Sequence, residues 1–229
     1  MSGRTVGVIG GMGPAATLQF LARLQALTPA TSDQDHLHVL MDCNPHVPDR
    51  NAAARGEGPP PAEVLAAMAR GLERSGAQLL AMPCNTAHAY ASAITGASNL
   101  PFINLIETAC DAAMALKPRS VGILAADGCL AAGLYQDVLA RRDVAAIVCE
   151  PAAQAHFMAL LYRIKAGEMG EALRADMRGV AEGLLAAGAD ILLAGCTEVP
   201  LALGEADVAA PLVDSLEALA RRTVAVALA

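Results

Sequence analysis

Cys84 and Cys196 stand at matching places in this chain. Gly76-Ala-Gln-Leu-Leu-Ala-Met-Pro-Cys84 corresponds to Gly188-Ala-Asp-Ile-Leu-Leu-Ala-Gly-Cys196, with the same eight-residue step from glycine to thiol. A thiol, with a reference pKa of about 8.5, takes and gives protons near neutral pH, more readily beside a helix N-terminus or a cation. Two thiols on opposite sides of one carbon can remove a proton from one face and deliver another to the opposite face, inverting the centre. Asn85-Thr86 follow the first cysteine and Thr197 the second. Side chains and free N–H groups at such loop-to-helix turns can hold a carboxylate. Held there, the carboxylate also helps to stabilise charge developing at the adjoining carbon.

The elements carrying the two thiols are themselves repeated. Residues 4–13 (RTVGVIGGMG) match 119–128 (RSVGILAADG), and 101–107 (PFINLIE) match 211–217 (PLVDSLE). With the cysteine segments, the three offsets are 115, 112 and 110 residues, in one order along the chain. Apolar runs at 5–9, 36–42, 78–82 and 101–105 read as strands, and 15–27, 64–74 and 109–116 as helices, with Pro14 suited to a first helical turn. Residues 44–61, with prolines and glycines at both ends, read as a long loop of the kind that often carries function. This alternation, continued to the end, predicts an α/β fold of two similar domains with parallel sheets, related by a pseudo-twofold axis. The expected division is 1–107 with 209–229 as one domain, and 108–208 as the other. Ligands in such sheets sit beyond the carboxyl ends of the strands, so each half presents its thiol to a shared cleft.

Composition narrows the class. The 229 residues are 55% hydrophobic, above the usual fraction of about 45–50%, but much of the excess is alanine. No apolar run reaches the roughly 18 residues of a membrane span. Residues 1–13 lack the basic start and long apolar stretch of a signal peptide, so a cytoplasmic protein is expected. A net charge of −7 without a basic stripe argues against nucleic acid. The six cysteines include no C-x-x-C pair, against a zinc ribbon or a thioredoxin-like site, and are expected as free thiols. Cys110, Cys129 and Cys149 read as small buried hydrophobes.

Other residues admit two readings each. Gly11, Gly13 and Ala16 fit the dinucleotide fingerprint G-x-G-x-x-A, yet the same glycines let backbone approach any small ligand. His36 and His38 share one face of the expected strand but have no third ligand in view, so no metal is expected. Arg50 is a cleft cation or a solvated loop residue. Lys165, before Gly167, either reaches a ligand or meets a helix C-terminal dipole. Glu198 either tunes Cys196 or favours a helix N-terminus. His88 supports Cys84 from behind or is a core histidine.

The segments GVIGGMGPAAT, NPHVPDR, MPCNTAH, YRIKAG and AGCTE, spread over almost the whole chain, resemble the aspartate/glutamate racemase family, most closely its aspartate branch. The resemblance implies two α/β domains, an amino-acid substrate in the cleft between them, catalysis by Cys84 and Cys196 without pyridoxal phosphate, and a homodimer. It implies Arg50 and Lys165 as substrate-reaching cations, with Asn85, Thr86, Thr197 and Met12 of the glycine loop also on the substrate. The glutamate branch carries an acidic residue in that loop and a histidine after its second Cys-Thr. Here stand Gly10-Gly-Met-Gly13 and Glu198, which weakens glutamate as the main substrate. An amino-acid racemase of broader specificity, a hydantoin racemase and a maleate isomerase belong to related branches and remain alternatives. A single-cysteine decarboxylase fits less well, and a nucleotide-binding regulatory module is the reading from another class.

Overall fold

The computed structural model describes residues 3–229. The first half runs β1 (Val6–Gly10), α1 (Pro14–Leu27), β2 (Val39–Cys43), α2 (Arg50–Ala54), α3 (Ala62–Arg74), β3 (Leu79–Ala81), α4 (Ala91–Thr95), β4 (Phe102–Ile103) and α5 (Leu105–Met114). The second runs β5 (Ser120–Leu124), α6 (Asp127–Ala131), α7 (Leu134–Ala140), β6 (Ala145–Ile147), α8 (Pro151–Lys165), α9 (Glu171–Ala186), β7 (Ile191–Ala194), β8 (Leu212–Asp214) and α10 (Ser215–Leu228). Each half forms a four-stranded parallel sheet, ordered β2-β1-β3-β4 and β6-β5-β7-β8. The central strands are buried along their whole length, because helices cover both faces of each sheet.

The repeat extends to individual contacts. A Cβ on Gly7 of β1 would stand 2.8 Å from Leu80 and 2.9 Å from Ala77; a Cβ on Gly122 of β5 would stand 2.9 Å from Leu192 and 3.0 Å from Ala189. Both are glycine because a helix and the neighbouring strand close on the same spot. The Gly-Ala pair that opens each cysteine segment is a helix ending. Gly76 after α3 and Gly188 after α9 both take φ +98°, and the next alanine N–H returns to Leu72 or Leu184.

The halves exchange their last helices. α10 packs on α1 and α5 packs on α7, and α5 and α10 lie against each other. Asn104 caps α5 by accepting from the Ile106 and Glu107 N–H groups, and Asp214 caps α10 by accepting from Leu216 and Glu217. Equivalent ion pairs tie each helix down: Arg23 to Asp214 at 2.5 Å, and Arg141 and Arg142 to Glu107 at 2.7 and 2.9 Å. One apolar core therefore contains residues of both sheets.

Three expectations need correction. The division expected from the sequence puts 209–229 whole in the first domain, but β8 pairs with β7 and completes the second sheet; only α10 crosses to α1. The reason is register: Leu212–Asp214 repeats the place of β4 beside its own cysteine strand. The stretch 44–61 is not all loop, since α2 forms within it on an Asp49 N-cap whose Oδ1 accepts from Ala52 at 2.7 Å. The second strand begins at Val39, so His36 and His38 precede it and share no strand face.

Candidate active site

The segments that follow β1, β3, β5 and β7 converge where the two sheets face each other. Met12 follows β1, Cys84 follows β3, Ala126 follows β5 and Cys196 follows β7, and all four line one cavity. These are the carboxyl ends flanking the switch in strand order, where α/β sheets bind ligands. The cavity, of about 20 Å³, is also lined by Arg50, Asn51, Asn85, Thr86, Met158, Leu161, Tyr162, Lys165, Thr197 and Glu198. It has room for about one water.

Neither thiol sits on its strand. Met82-Pro83 ends β3, since proline brings no N–H to the ladder, and Cys84 turns back to donate its N–H to the Met82 carbonyl at 2.8 Å. In the other half a similar turn comes one place earlier, where the Gly195 N–H donates to the Leu193 carbonyl at 2.9 Å. Cys84 is 5% and Cys196 7% exposed. The six cysteines are all free thiols.

Their surroundings differ. The Cys196 thiol donates to the Glu198 carboxylate at 3.0 Å, and the Thr197 hydroxyl donates to the same oxygen at 3.2 Å. The other Glu198 oxygen lies 3.4 Å from Lys165 Nζ. Burial pushes the Cys196 thiol well above the usual range; the Glu198 carboxylate adds to this, while the Lys165 ammonium opposes it. Burial works against the charge on Lys165, but the acidic groups beside it, Glu198 foremost, outweigh burial and raise its pKa. Lys165 is the last residue of α8, before Gly167.

Behind Cys84, His88 lies in a short 3-10 turn, Thr86–Tyr90. Its Nδ1–H donates to the Cys84 carbonyl at 2.8 Å, and its Nε2 accepts from the Leu105 N–H at 3.0 Å. Burial lowers its pKa to about 4, so the imidazole is neutral and structural. It stacks on Phe102 rather than entering the cavity.

Arg50 opens α2 and lines the cavity, one guanidinium nitrogen donating to the Val47 and Pro48 carbonyls at 3.3 and 3.1 Å. Asn85 is held from the other half: its Oδ1 accepts from the Tyr135 hydroxyl, and its Nδ2 donates to Ser215 Oγ at 3.3 Å. Ser215 in turn donates to the Ala194 carbonyl at 2.7 Å. Nine of the ten residues singled out in the sequence line this cavity and His88 does not; Asn51, Ala126, Met158, Leu161 and Tyr162 also line it, and Tyr135 and Ser215 hold Asn85 from behind. Ala126 was within reach, as the repeat partner of Gly11. Among the described residues no group of three or more His, Cys, Asp or Glu side chains could hold a metal ion, and no helix is long and apolar enough to cross a membrane.

Two mirrored α/β halves with a polar, thiol-bearing cavity between them define an enzyme whose site is shared equally by its domains. The chain belongs to the Asp/Glu/Hydantoin racemase family, whose sequence model matches residues 9–223, and it is a racemase. It is 27% identical to the broad specificity amino-acid racemase RacX of Bacillus subtilis, over 98% of both chains. It is 31% identical to a glutamate racemase of Pseudomonas putida, over 90% of this chain and 75% of that one. The structure is similar to that of Picrophilus torridus aspartate racemase, with a TM-score of 0.89 and 28% identity over 98% of this chain and 94% of that one.

Proposed function

We propose that this racemase inverts the α-carbon of an amino acid, aspartate first among them, using Cys84 and Cys196 as opposed acid and base without pyridoxal phosphate. The observation that carries this reading is that both buried thiols line one small cavity from pseudo-equivalent strand ends. One thiolate takes the α-proton and the facing thiol returns a proton to the other side. The electron pair left at the carbon is delocalised into the substrate carboxylate, and the backbone turns after Cys84 and Cys196, with Thr86, are the groups placed to hold it. The cavity admits an amino acid only when its rim moves, and closure around substrate then excludes water.

The preference for aspartate rests on Arg50. Lys165 faces the Glu198 carboxylate, so it balances a charge of the protein itself. Arg50 uses one nitrogen on backbone carbonyls and can offer the rest of its fork to a side-chain carboxylate. The likeness to the Picrophilus enzyme supports aspartate; the full-length likeness to RacX supports a broader range and is the second reading. A homodimer and a cytoplasmic setting belong to the same proposal. Chiral chromatography after incubation with a panel of L-amino acids tests it. Fastest conversion of aspartate supports the first reading, even conversion across neutral side chains the second, and no conversion of any amino acid overturns both.

A further inference from the structure

The two halves repeat each other closely, but the residues two places after their cysteines do not match. Thr86 follows Cys84 in this way, and Glu198 follows Cys196. Glu198 is only 5% exposed, and it bridges the Cys196 thiol at 3.0 Å and Lys165 Nζ at 3.4 Å. Among the described residues no carboxylate bonds the Cys84 sulfur. We infer that Glu198 is a positioning residue that holds the proton on Cys196, so that the resting enzyme begins each turnover with Cys196 as acid and Cys84 as base.

This inference rests on the two-thiol reading of the site and gives its symmetric cleft a direction. An unpaired carboxylate here would be costly to bury, and Lys165 offsets its charge. The groups facing the pair are Lys165 from α8, Arg50 from α2, Cys84 after β3 and Tyr135 from α7, whose hydroxyl is committed to Asn85. Burial and Glu198 raise the Cys196 thiol, and Lys165 and the Glu198 backbone N–H offset only part of this. In turnover Cys84 gains the substrate proton and Cys196 gives up its own to the opposite face. Cys196 is then a thiolate beside a carboxylate, an arrangement of two like charges that favours return of a proton to Cys196 from solvent and loss of one from Cys84. One enantiomer, the one presenting its α-proton to Cys84, meets the resting form directly. The other must wait for the less populated form.

The test is a pH titration of the Cys196 Cβ resonance in protein labelled with ¹³C at cysteine Cβ, assigned through Cys196→Ser. The readout needs no turnover, so it stands or falls separately from the racemase assignment. In the wild-type protein Cys196 should remain a thiol throughout the neutral range. Glu198→Gln removes the charge with little change of shape and should lower its midpoint by at least about one unit, the usual size of a like-charge shift. Glu198→Asp keeps the charge and should leave Cys196 raised, while Lys165→Met should raise it further. A Cys196 thiolate at neutral pH in the wild type, or equal midpoints in the wild type and Glu198→Gln, overturns the inference.

Discussion

Gly128 and Thr86 meet across the cleft with no room for a side chain at position 128. A Cβ there would lie 2.8 Å from Thr86 Cγ2 and 2.9 Å from Asn51 Oδ1. The Gly128 N–H donates to that same Asn51 oxygen at 2.9 Å, joining the start of α6 to α2. Gly13 stands at the matching place in the other half, where an added Cβ would lie 3.6 Å from Glu198 Oε1, an ordinary contact distance. Each half thus closes on the other through a glycine and the residue two places after the opposite cysteine.

Gly128→Ala should therefore push the halves apart at the cavity rim. The expected cost is about 1–3 kcal/mol, as for an overpacked contact. Because the clash sits at the cleft, kcat/KM should fall further than the unfolding free energy does. Steady-state kinetics beside urea unfolding measure both, and unchanged kcat/KM with lowered stability would show that this contact does not shape the site.

His88 supplies a pH dependence whose sign is fixed by its burial. Its pKa falls from the ordinary 6.5 to about 4 on folding. Between those values the unfolded chain binds a proton that the folded chain does not. Stability is therefore full above the upper value and is lost as pH falls through the window, by up to about 3 kcal/mol. Protonation would also cost the bond Nε2 accepts from Leu105. Urea unfolding at mildly acid and neutral pH should show this slope in the wild type and a shallower one in His88→Gln; equal slopes would assign it elsewhere.

Arg50→Ala separates substrate binding from chemistry. If the guanidinium holds a side-chain carboxylate, kcat/KM for aspartate should drop by about 1.5–3 kcal/mol, the worth of a hydrogen bond to a charged group. Slow activity on alanine or serine should barely change. An equal loss on acidic and neutral substrates would place Arg50 at the reacting centre instead.

Cys84→Ser and Cys196→Ser should each lower racemisation at least about 100-fold, since a hydroxyl is a poor acid and base near neutral pH. Cys110 lies fully buried in the core, where burial pushes its thiol up to about 12. Cys110→Ala should keep most activity, with a modest loss of stability. Near-normal turnover in either of the first two variants would remove that thiol from the mechanism.

The two cysteines and the parallel α/β halves were legible because the repeat preserves short strands and helix endings such as Gly76 and Gly188. The exchange of α5 and α10 was legible only in part. The matched segments 101–107 and 211–217 mark β8 as the counterpart of β4, so its place beside β7 is readable from the repeat, whereas the domain division followed the return of the helix after it. Helix α2 escaped notice because prolines at both ends of 44–61 outweighed the Asp49 cap and the alanines after it. His36 and His38 were misplaced because the apolar run starts earlier than the ladder with β1 does. Asn51, Met158 and Tyr162 reach the cavity through the meeting of two halves, and such contacts leave no periodic trace in either segment.

The most direct test of opposed thiols is racemisation of L-aspartate in D₂O, with each enantiomer separated and weighed by mass spectrometry at low conversion, then repeated from D-aspartate. A thiol on each face exchanges with solvent before it delivers its proton. Deuterium should therefore enter the inverted product from the first turnovers, while the remaining starting enantiomer stays mostly protiated in both directions. Equal early labelling of both enantiomers would mean that one base serves both faces, and would contradict the assignment of Cys84 and Cys196 as an acid–base pair.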